Sequence, residues 1–389
     1  MKKSIIILGV GNCGNQVASL AVKKYPELFD AIAINSSQAD LSMISKSENI
    51  LTLKIGNNDE VEGSAKNRTK MKEYLKNDIM NILGNQNLQE MIASKKYCYI
   101  ISSAGGGTGS ASAPILMDIL RTYFPDTNFI LIGVLPALGS SICEHGNAEE
   151  YLKEVFEILG TNTTYMMYDN DATSNLPSIK GLEIVNENIV EDLRVLSGID
   201  NYPAQFDSID EADLESIITT PGRLMVTRIT KGLTEKNLED NNLDDIIING
   251  FKKSCHAETD RNKVITRMGI ITYFTPAVNN LYTTNFEKVY EFIGTPIERF
   301  NHNAVNDKNE SMNFMDIIVS GLSPVNDRAR KIKEKIEELK TSLASDDASQ
   351  YIFSGESTSY DMAAIRKKQI KKETQVEKFN PLDFFNKYQ

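Results

Sequence analysis

The sequence predicts an α/β protein with a doubly wound parallel sheet, a long central helix, a smaller second α/β domain, and a C-terminal helix and tail. In the first half of the chain, short apolar runs alternate with segments of helical periodicity. The apolar runs lack polar alternation, which is typical of strands buried on both faces of a parallel sheet. Ligands of such sheets bind at the carboxyl ends of the strands.

Six strands are predicted in this half: Ser4–Val10, Ala31–Ile34, Ile50–Ile55, Tyr97–Ser102, Phe129–Leu135 and Thr164–Tyr168. The predicted helices between them are Asn15–Lys24, Ala65–Leu83, Ala111–Tyr123 and Ala148–Leu159. This alternation of strand and helix predicts the doubly wound arrangement.

The second half begins with one long predicted helix, Gly181–Gly198, whose apolar residues recur at spacings of three and four. Further strands are predicted at Leu224–Ile229, Val264–Phe274 and Phe314–Val319, and helices near Asp210–Thr219, Asp244–Lys253 and Asn285–Ile293. Pro324–Ser342 is a charged helix with Lys and Glu at i,i+4 spacing. We therefore expect domains at 1–180, 204–323 and 324–343, joined by the helix at 181–203, and a mobile basic tail at 344–389.

Composition excludes several classes of protein. The 389 residues carry a net charge of -11, which disfavours nucleic acid and anionic membrane unless basic residues cluster locally. Four separated cysteines without a Cys-x-x-Cys pattern fit a reducing cytoplasm. No apolar run approaches the ~18 residues of a membrane span, and the three histidines show no metal-ligand spacing. The composition favours a cytoplasmic protein.

The first motif, Gly11-Asn12-Cys13-Gly14-Asn15-Gln16, follows the first predicted strand directly. Glycines in such a turn let backbone N–H groups face a phosphate, and the next helix adds its dipole. A tight structural turn and a dinucleotide-binding Rossmann site are alternatives. The Rossmann site requires an acidic residue after the second strand, where the sequence has Asn35-Ser36-Ser37, so that alternative is weakened.

The second motif is Gly105-Gly106-Gly107-Thr108-Gly109-Ser110, again between a strand and a helix. Consecutive glycines are costly unless the backbone needs unusual angles or close approach to a ligand. Thr108 and Ser110 can hydrogen-bond to phosphate oxygens or to a metal-bound water. The Gly-Lys-Ser/Thr of a Walker A loop is absent from the sequence. The chain thus has two glycine-rich phosphate cradles on one predicted sheet.

These motifs resemble those of the tubulin/FtsZ GTPase superfamily. Gly105 to Ser110 looks like the tubulin signature loop, and Gly11 to Gln16 is similar to the first nucleotide loop of eukaryotic tubulins. The segment Asn35–Leu41, which includes Ser36, resembles the second-strand loop of FtsZ. The resemblance covers roughly Met1 to Pro324. It implies that the chain binds GTP and GDP with Mg²⁺, and that it polymerises head to tail.

Asp210-Glu211-Ala212-Asp213 resembles the catalytic loop of FtsZ, which follows the central helix. Taken alone, such acids are usually a solvated first helical turn. The resemblance implies instead that Asp210 and Asp213 reach the nucleotide of the next subunit and position the attacking water. Because neither half-site suffices alone, hydrolysis is expected to depend on assembly.

The resemblance implies further contacts at weaker positions. Gly63 and Ser64 would offer amides from a third loop, although this loop has fewer glycines than in FtsZ and carries three acids. Nucleoside contacts would come from Glu144, Asn147, Asp169 or Asn170, Ile184 and Asn188. Ordinary capping or surface roles are alternatives for each of these residues. No direct protein ligand for Mg²⁺ is expected, since the ion would be held mainly through the GTP phosphates and water.

The chain lacks an obvious FtsZ-like terminal peptide, and its end carries the basic run from Ile365 to Lys372. The charged helix and basic tail are similar to the TubZ group, the tubulin homologues of plasmids and phages. That resemblance implies DNA segregation through a DNA-binding adaptor of the TubR type, which engages the C-terminal region, and no membrane partner. A solvated charge run, an FtsZ-like division or cell-shape GTPase, and a tubulin-like scaffold without hydrolysis remain alternatives.

Overall fold

The structure is a computed structural model. It describes residues 4–44, 47–56, 62–197, 204–205, 207–240, 242–258, 260, 262–283, 285–306, 312–345 and 380–388. The basic run at 365–372 and the acids at 59 and 60 of the third loop lie outside the described residues.

A sheet of ten strands runs through the molecule in the order β3-β2-β1-β4-β5-β6-β7-β10-β8-β9. Its strands are β1 Ile5–Val10, β2 Phe29–Asn35, β3 Ile50–Lys54, β4 Tyr97–Ser103, β5 Asn128–Leu135, β6 Thr164–Asp169, β7 Gly222–Ile229, β8 Val264–Phe274, β9 Thr295–Val305 and β10 Phe314–Leu322. The first six strands pair in parallel, as the sequence predicts. β1 and β4 are wholly or almost wholly buried, which explains their lack of polar alternation.

The helices are α1 Gly11–Lys24, α2 Gln38–Ser42, α3 Arg68–Leu83, α4 Gln86–Ala93, α5 Thr108–Tyr123, α6 Ile142–Lys153, α7 Ser178–Ser197, α8 Glu211–Ile218, α9 Glu235–Glu239, α10 Leu243–Lys253, α11 Pro276–Leu281, α12 Glu287–Ile293 and α13 Asn326–Ser345. Residues of α3 to α6 form one apolar core with one face of the parallel sheet. Residues of α1 and α7 form a second core with the opposite face. The parallel sheet is therefore covered on both sides, as a doubly wound fold requires.

The region predicted as a second domain contains β7 to β10, the mixed part of the same sheet, and has a third apolar core. β10 is antiparallel to β7 and β8, whereas β8 and β9 are parallel. β9 is absent from the sequence prediction because its residues are mostly half-buried or exposed and begin with Thr295-Pro296. A parallel edge strand of this kind has a weak hydrophobic signal.

The central helix α7 contacts both the parallel strands and the region predicted as a second domain. Its Asp192 accepts a hydrogen bond from the Tyr168 hydroxyl of β6 at 2.6 Å and lies 3.0 Å from His256 Nε2, which precedes β8. Its apolar face packs into a core that also contains Ile271 of β8 and Ile318 of β10. The helix therefore connects the parallel strands to β8 and β10 through buried contacts.

The apolar face of the C-terminal helix α13 packs on the first domain. Val325, Ile332 and Ile336 belong to the same apolar core as α3 to α6. Arg328 is buried and donates to both carboxylate oxygens of Asp169, at 2.5 and 3.0 Å. A helix far along the sequence thus completes the covering of the first sheet.

The last described residues correct the expectation of a mobile tail from residue 344 to the end. Pro381–Lys387 forms a 3-10 helix, and Phe385 and Tyr388 are buried against the first domain. The expectation followed from the polar composition upstream, which does not extend to the apolar residues of this final segment. No helix of the described ranges is both long and apolar enough to cross a bilayer.

Candidate nucleotide-binding site

The first two glycine-rich loops touch each other at the carboxyl ends of β1 and β4. Gly11 has a φ of +75°, and a Cβ built on it would lie 2.9 Å from the amide nitrogen of Gly109. A Cβ on Gly109 would in turn lie 2.7 Å from the Val10 carbonyl oxygen, and one on Gly14 only 2.0 Å from that of Ile101. These contacts leave no room for side chains, so the two loops form one continuous backbone surface.

The third loop closes on the second at Gly107. A Cβ on Gly107 would lie 2.0 Å from the Ser64 hydroxyl oxygen and 2.8 Å from the Cα of Lys66. Ala65 and Lys66 both adopt positive φ, at 49° and 63°, which is unfavourable for residues with a Cβ. Consecutive residues in this conformation indicate a backbone held in place by its surroundings at a site of function.

Polar side chains line the joint between the second-strand loop and the signature loop. The hydroxyls of Ser36 and Thr108 hydrogen-bond at 2.8 Å, although they are far apart in sequence. Asn35 donates to Asp40 and accepts from the Ser36 amide, which fixes the turn after β2. Ser110 donates to the Gly106 carbonyl, which fixes the turn before α5. The structure therefore brings these predicted residues into one cradle.

The first loop contributes residues of two kinds. Asn15 is buried and donates to the Ile34 carbonyl at 3.2 Å, whereas its Oδ1 atom has no hydrogen-bond partner. Asn12 and Gln16 are exposed and bond to each other at 3.3 Å. Burial raises the pKa of the Cys13 thiol to about 12. At neutral pH Cys13 is therefore a protonated polar group and not a nucleophile.

Asn147 of α6 holds the cradle together. Its Nδ2 atom lies within 3.2 Å of the Gly105, Gly106 and Lys66 carbonyl oxygens, so one amide group spans two loops. Glu144 forms a capping box with Ser141 at the start of α6 and an ion pair with Lys66 at 3.2 Å. Both residues lie at the site, and their contacts in the structure are with the loops themselves.

Buried charge supports the cradle from behind. Pro114, inside α5, has no N–H for the Ser110 carbonyl one turn earlier. Arg68 supplies that hydrogen bond from Nη1 at 2.6 Å, and it also pairs with Glu150 and Glu154. Arg68 is 4% exposed and Glu154 6%, so this pair is shielded from solvent. The arrangement anchors the start of α5 to α3 and α6.

Three predicted nucleoside contacts have internal partners. Asp169 pairs with Arg328 and also accepts the Asp171 amide. Asn188 donates to the Ile184 carbonyl within its own helix at 2.9 Å, and Ile184 packs partly into the core beneath α7. Nothing in these contacts joins the three residues to the cradle. Their roles toward a base or ribose stay predictions.

The two predicted catalytic acids form the capping box that begins α8. The Asp210 carboxylate accepts the Asp213 amide at 2.8 Å, and the Asp213 carboxylate accepts the Asp210 amide at 3.2 Å. Their neighbours Glu211 and Glu215 pair with Lys96, the residue immediately before β4. The acids therefore lie at the amino end of β4, whereas the signature loop leaves its carboxyl end.

β4 has seven residues, so the two ends are separated by about 20 Å at the usual rise of a strand. Asp210 and Asp213 cannot reach the cradle of their own chain across this distance. Any joint action of the acids and the cradle requires a second molecule.

Two residues of the site were missed from the sequence. Lys66 places an ammonium at the mouth of the cradle, and Arg68 supports the signature loop from the buried side. Neither stands in a recognisable motif, and Lys has no preference for the left-handed conformation that Lys66 adopts. The proline within α5 was the available signal for Arg68, because it predicts a carbonyl in need of another donor.

A parallel sheet with three backbone loops converging at its carboxyl edge defines a phosphate-binding α/β domain. Residues 4–177 match the family model of the Tubulin/FtsZ family, GTPase domain. The N-terminal part of the chain is therefore similar to the GTPase domain of the Tubulin/FtsZ family.

Comparisons with individual proteins agree on the fold. The tubulin-like protein CetZ of Pyrococcus abyssi is 25% identical over 237 residues, which are 59% of this chain and 62% of that protein. The alignment thus spans less than two thirds of this curated relative. The structure of TubZ from Clostridium botulinum phage c-st superposes with a TM-score of 0.70 at 18% identity, covering 88% of this chain and 100% of that one. A GTPγS-bound protofilament of CetZ2 from Haloferax volcanii superposes with a TM-score of 0.67 at 17% identity, covering 87% and 99%.

Proposed function

We propose that this protein is a GTP-hydrolysing cytoskeletal protein that polymerises head to tail, with each active site built from two subunits. The observation that carries the proposal is the position of the acids and the cradle at opposite ends of β4. A contact between the acid-bearing end of one subunit and the cradle of the next would complete the site. Such a contact is heterologous and does not close on itself, so it generates a filament.

The roles of the chain's own residues follow from the geometry. Backbone amides of the signature loop and of the first loop would bind the phosphates, because both loops exclude side chains from this surface. The hydroxyls of Ser36 and Thr108 would orient a γ-phosphate or the water around its metal ion. Asp210 and Asp213 of the neighbouring subunit would position and polarise the attacking water. Each uses one carboxylate oxygen in the capping box.

Mg²⁺ fits this arrangement as an ion held through phosphates and water, and bound there it would neutralise charge on the transferring phosphoryl group. Across the described residues, no group of three or more His, Cys, Asp or Glu side chains could hold a metal ion directly. The Ser36 and Thr108 hydroxyls are oxygen donors of the type that Mg²⁺ prefers.

We further propose that the filaments segregate plasmid or phage DNA through a DNA-binding adaptor of the TubR type. The resemblance of the charged helix and basic tail to the TubZ group supports this assignment, as does the basic run at 365–372 in a chain of net charge -11. A sequence relative named cell division protein FtsZ 2, from Halobacterium salinarum, favours the alternative of an FtsZ-like cell-division or cell-shape GTPase. A scaffold that binds GTP without hydrolysing it is a second alternative. The pair Asp210 and Asp213 disfavours it, because a scaffold has no use for catalytic acids.

The decisive experiment measures phosphate release against protein concentration with GTP, ATP and GTPγS, with 90° light scattering recorded in parallel. We expect turnover with GTP alone, rising cooperatively above a threshold concentration, and persistent scattering with GTPγS. Turnover that is linear in protein concentration, or equal turnover with ATP, would contradict the shared site. Turnover without scattering at any concentration would contradict the filament.

A further inference from the structure

The final segment of the chain, Asn380–Tyr388, occupies a groove between α3 and α5 on the first domain. Phe385 and Tyr388 are 3% and 4% exposed and belong to the apolar core that includes Met71 and Leu75 of α3. Between them, Asn386 and Lys387 face solvent. A segment that buries two aromatic anchors three residues apart and exposes the two residues between them has the pattern of a docked peptide ligand.

Three polar contacts fix the segment in one register. The Lys72 ammonium donates to the Tyr388 carbonyl at 2.6 Å, and the Tyr388 hydroxyl donates to the Pro114 carbonyl at 3.2 Å. Lys387 pairs with the buried Asp118 carboxylate at 3.0 Å. The groove thus recognises an aromatic side chain, a backbone carbonyl and a cation at set positions. This degree of specificity exceeds that of nonspecific apolar contact.

A chain of charged side chains connects the groove to the cradle. Lys72 contacts the Glu154 carboxylate at 2.8 Å, and the other oxygen of that carboxylate pairs with Arg68. Arg68 in turn donates to the Ser110 carbonyl at the end of the signature loop. One residue, Lys72, therefore contacts both the docked segment and the network that supports the cradle.

We propose that Asn380–Tyr388 is a detachable peptide ligand of its own GTPase domain, and that its docking strengthens nucleotide binding through Lys72, Glu154 and Arg68. With the segment bound, Lys72 is held against Glu154, which keeps Arg68 directed at Ser110 and the signature loop in its binding geometry. Coupling between two ligands is reciprocal, so nucleotide binding also favours the docked segment. The coupling rests on the proposed GTP site, whereas the docking does not.

Docking is tested first without nucleotide, on full-length protein. A fluorescein-labelled peptide with the sequence of residues 380–389 is titrated with wild type and with Tyr388→Ala, whose own segment has lost an anchor. Because the wild-type segment belongs to the same chain as the groove, its local concentration is roughly millimolar, so it should outcompete the free peptide. We expect at least about tenfold tighter apparent binding to Tyr388→Ala than to wild type. Asn386→Ala, a matched change at an exposed position, should behave as wild type.

Coupling is tested with a fluorescent GTPγS analogue. We expect affinity about fivefold weaker in Tyr388→Ala than in wild type, and restored by saturating free peptide. Lys72→Met retains the apolar groove but breaks the connection, so its nucleotide affinity should be weak and insensitive to the peptide. Equal peptide binding by wild type and Tyr388→Ala would overturn the docking, and equal nucleotide affinity in both would overturn the coupling. Absence of nucleotide binding by wild type would overturn the proposed function and the coupling with it, leaving the peptide titration to decide the docking.

Discussion

The Lys96 ammonium lies 2.7 Å from the Glu211 carboxylate and 3.0 Å from that of Glu215. This contact fixes α8 at the amino end of β4, while the signature loop begins where β4 ends. The ion pairs are largely exposed and contribute little stability individually. Their importance is positional, because they hold Asp210 and Asp213 at the end of β4 opposite the cradle, where in the proposed filament these acids would face the nucleotide of another subunit.

The acid pair should be needed for turnover and not for the fold. We expect Asp210→Asn and Asp213→Asn to lower the rate of GTP hydrolysis at least about 100-fold, the scale on which positioned acid–base groups act. GTP binding should persist, and filaments should last longer. Asn also caps helices, so Asp210→Asn should leave the thermal midpoint unchanged. Asp210→Ala should lower the thermal midpoint, because loss of the cap lowers the free energy of unfolding by about 1 kcal/mol. Phosphate release and thermal melts measure the two effects, and unchanged turnover in both Asn variants would contradict a catalytic role.

The shared site can be tested by complementation. Asp210→Asn keeps the cradle and Gly107→Ala keeps the acids, so a filament of both contains some contacts with a good cradle facing good acids. A contact is productive only when its cradle comes from Asp210→Asn and its acids come from Gly107→Ala, and in an equimolar mixture each condition is met at half of the contacts. The mixture should therefore hydrolyse GTP at roughly a quarter of the wild-type rate. A mixture no more active than the two variants measured separately would contradict a site between subunits.

The cradle should be sensitive to a single methyl group at one glycine. Gly107→Ala would place its Cβ 2.0 Å from the Ser64 hydroxyl oxygen and 2.8 Å from the Lys66 Cα, and because the second contact is with backbone the third loop must move away. We expect at least tenfold weaker nucleotide binding, on the order of 1.4 kcal/mol or more. The control is Gly146→Ala on α6, where a Cβ meets nothing within 4 Å and should slightly stabilise the helix. Equal affinities in the two variants, measured by titration with a fluorescent nucleotide, would count against the close packing of the loops.

Acid should weaken the ion pair at the mouth of the cradle. Burial alone would raise the pKa of Glu144, but the Ser141 amide and hydroxyl and the Lys66 ammonium outweigh it and hold the pKa below 4.5. A lowered pKa in the folded state contributes stability that is present above pH 4.5 and lost as pH falls through the folded-state pKa. Glu144→Gln keeps the capping box. At pH 7 the free energy of unfolding of this variant should lie below that of wild type by a margin under about 1 kcal/mol. This margin should be smaller at pH 3.5. Urea unfolding at the two pH values checks this, and a constant difference would exclude a contribution from the charge.

Adaptor binding should require the charges of the basic run at 365–372 and not the last residues of the chain. Replacing Arg366, Lys367, Lys368, Lys371 and Lys372 by Gln should leave GTP hydrolysis unchanged and abolish capture of an adaptor–DNA complex by sedimented filaments. Neutralisation is preferable to truncation, because removing the end of the chain would also remove the docked residues Phe385 and Tyr388. Full capture by the neutralised filament would remove the basic run from the proposal.

Local patterning explains which parts of the fold could be predicted. β1 and β4 are continuous apolar runs with glycine turns at their ends, and each appears within a residue of its predicted bounds. The long helix α7 followed from the spacing of Val185, Ile189 and Leu193. β9 was not predicted, because an edge strand with mostly exposed or half-buried residues depends on its partner β8 and not on its own pattern.

The sequence by itself predicted the glycine-rich loops at the ends of β1 and β4, since glycine is the one residue whose requirement for space and φ can be inferred without coordinates. It also determined the order of sheet, central helix and second domain, because hydrophobic periodicity is a local property. Only the tertiary structure decided that Arg68 holds the signature loop, that Tyr388 docks on α5 and that the acids face away from their own cradle. Each of these depends on contacts between residues far apart in the chain, for which one sequence carries no local signal.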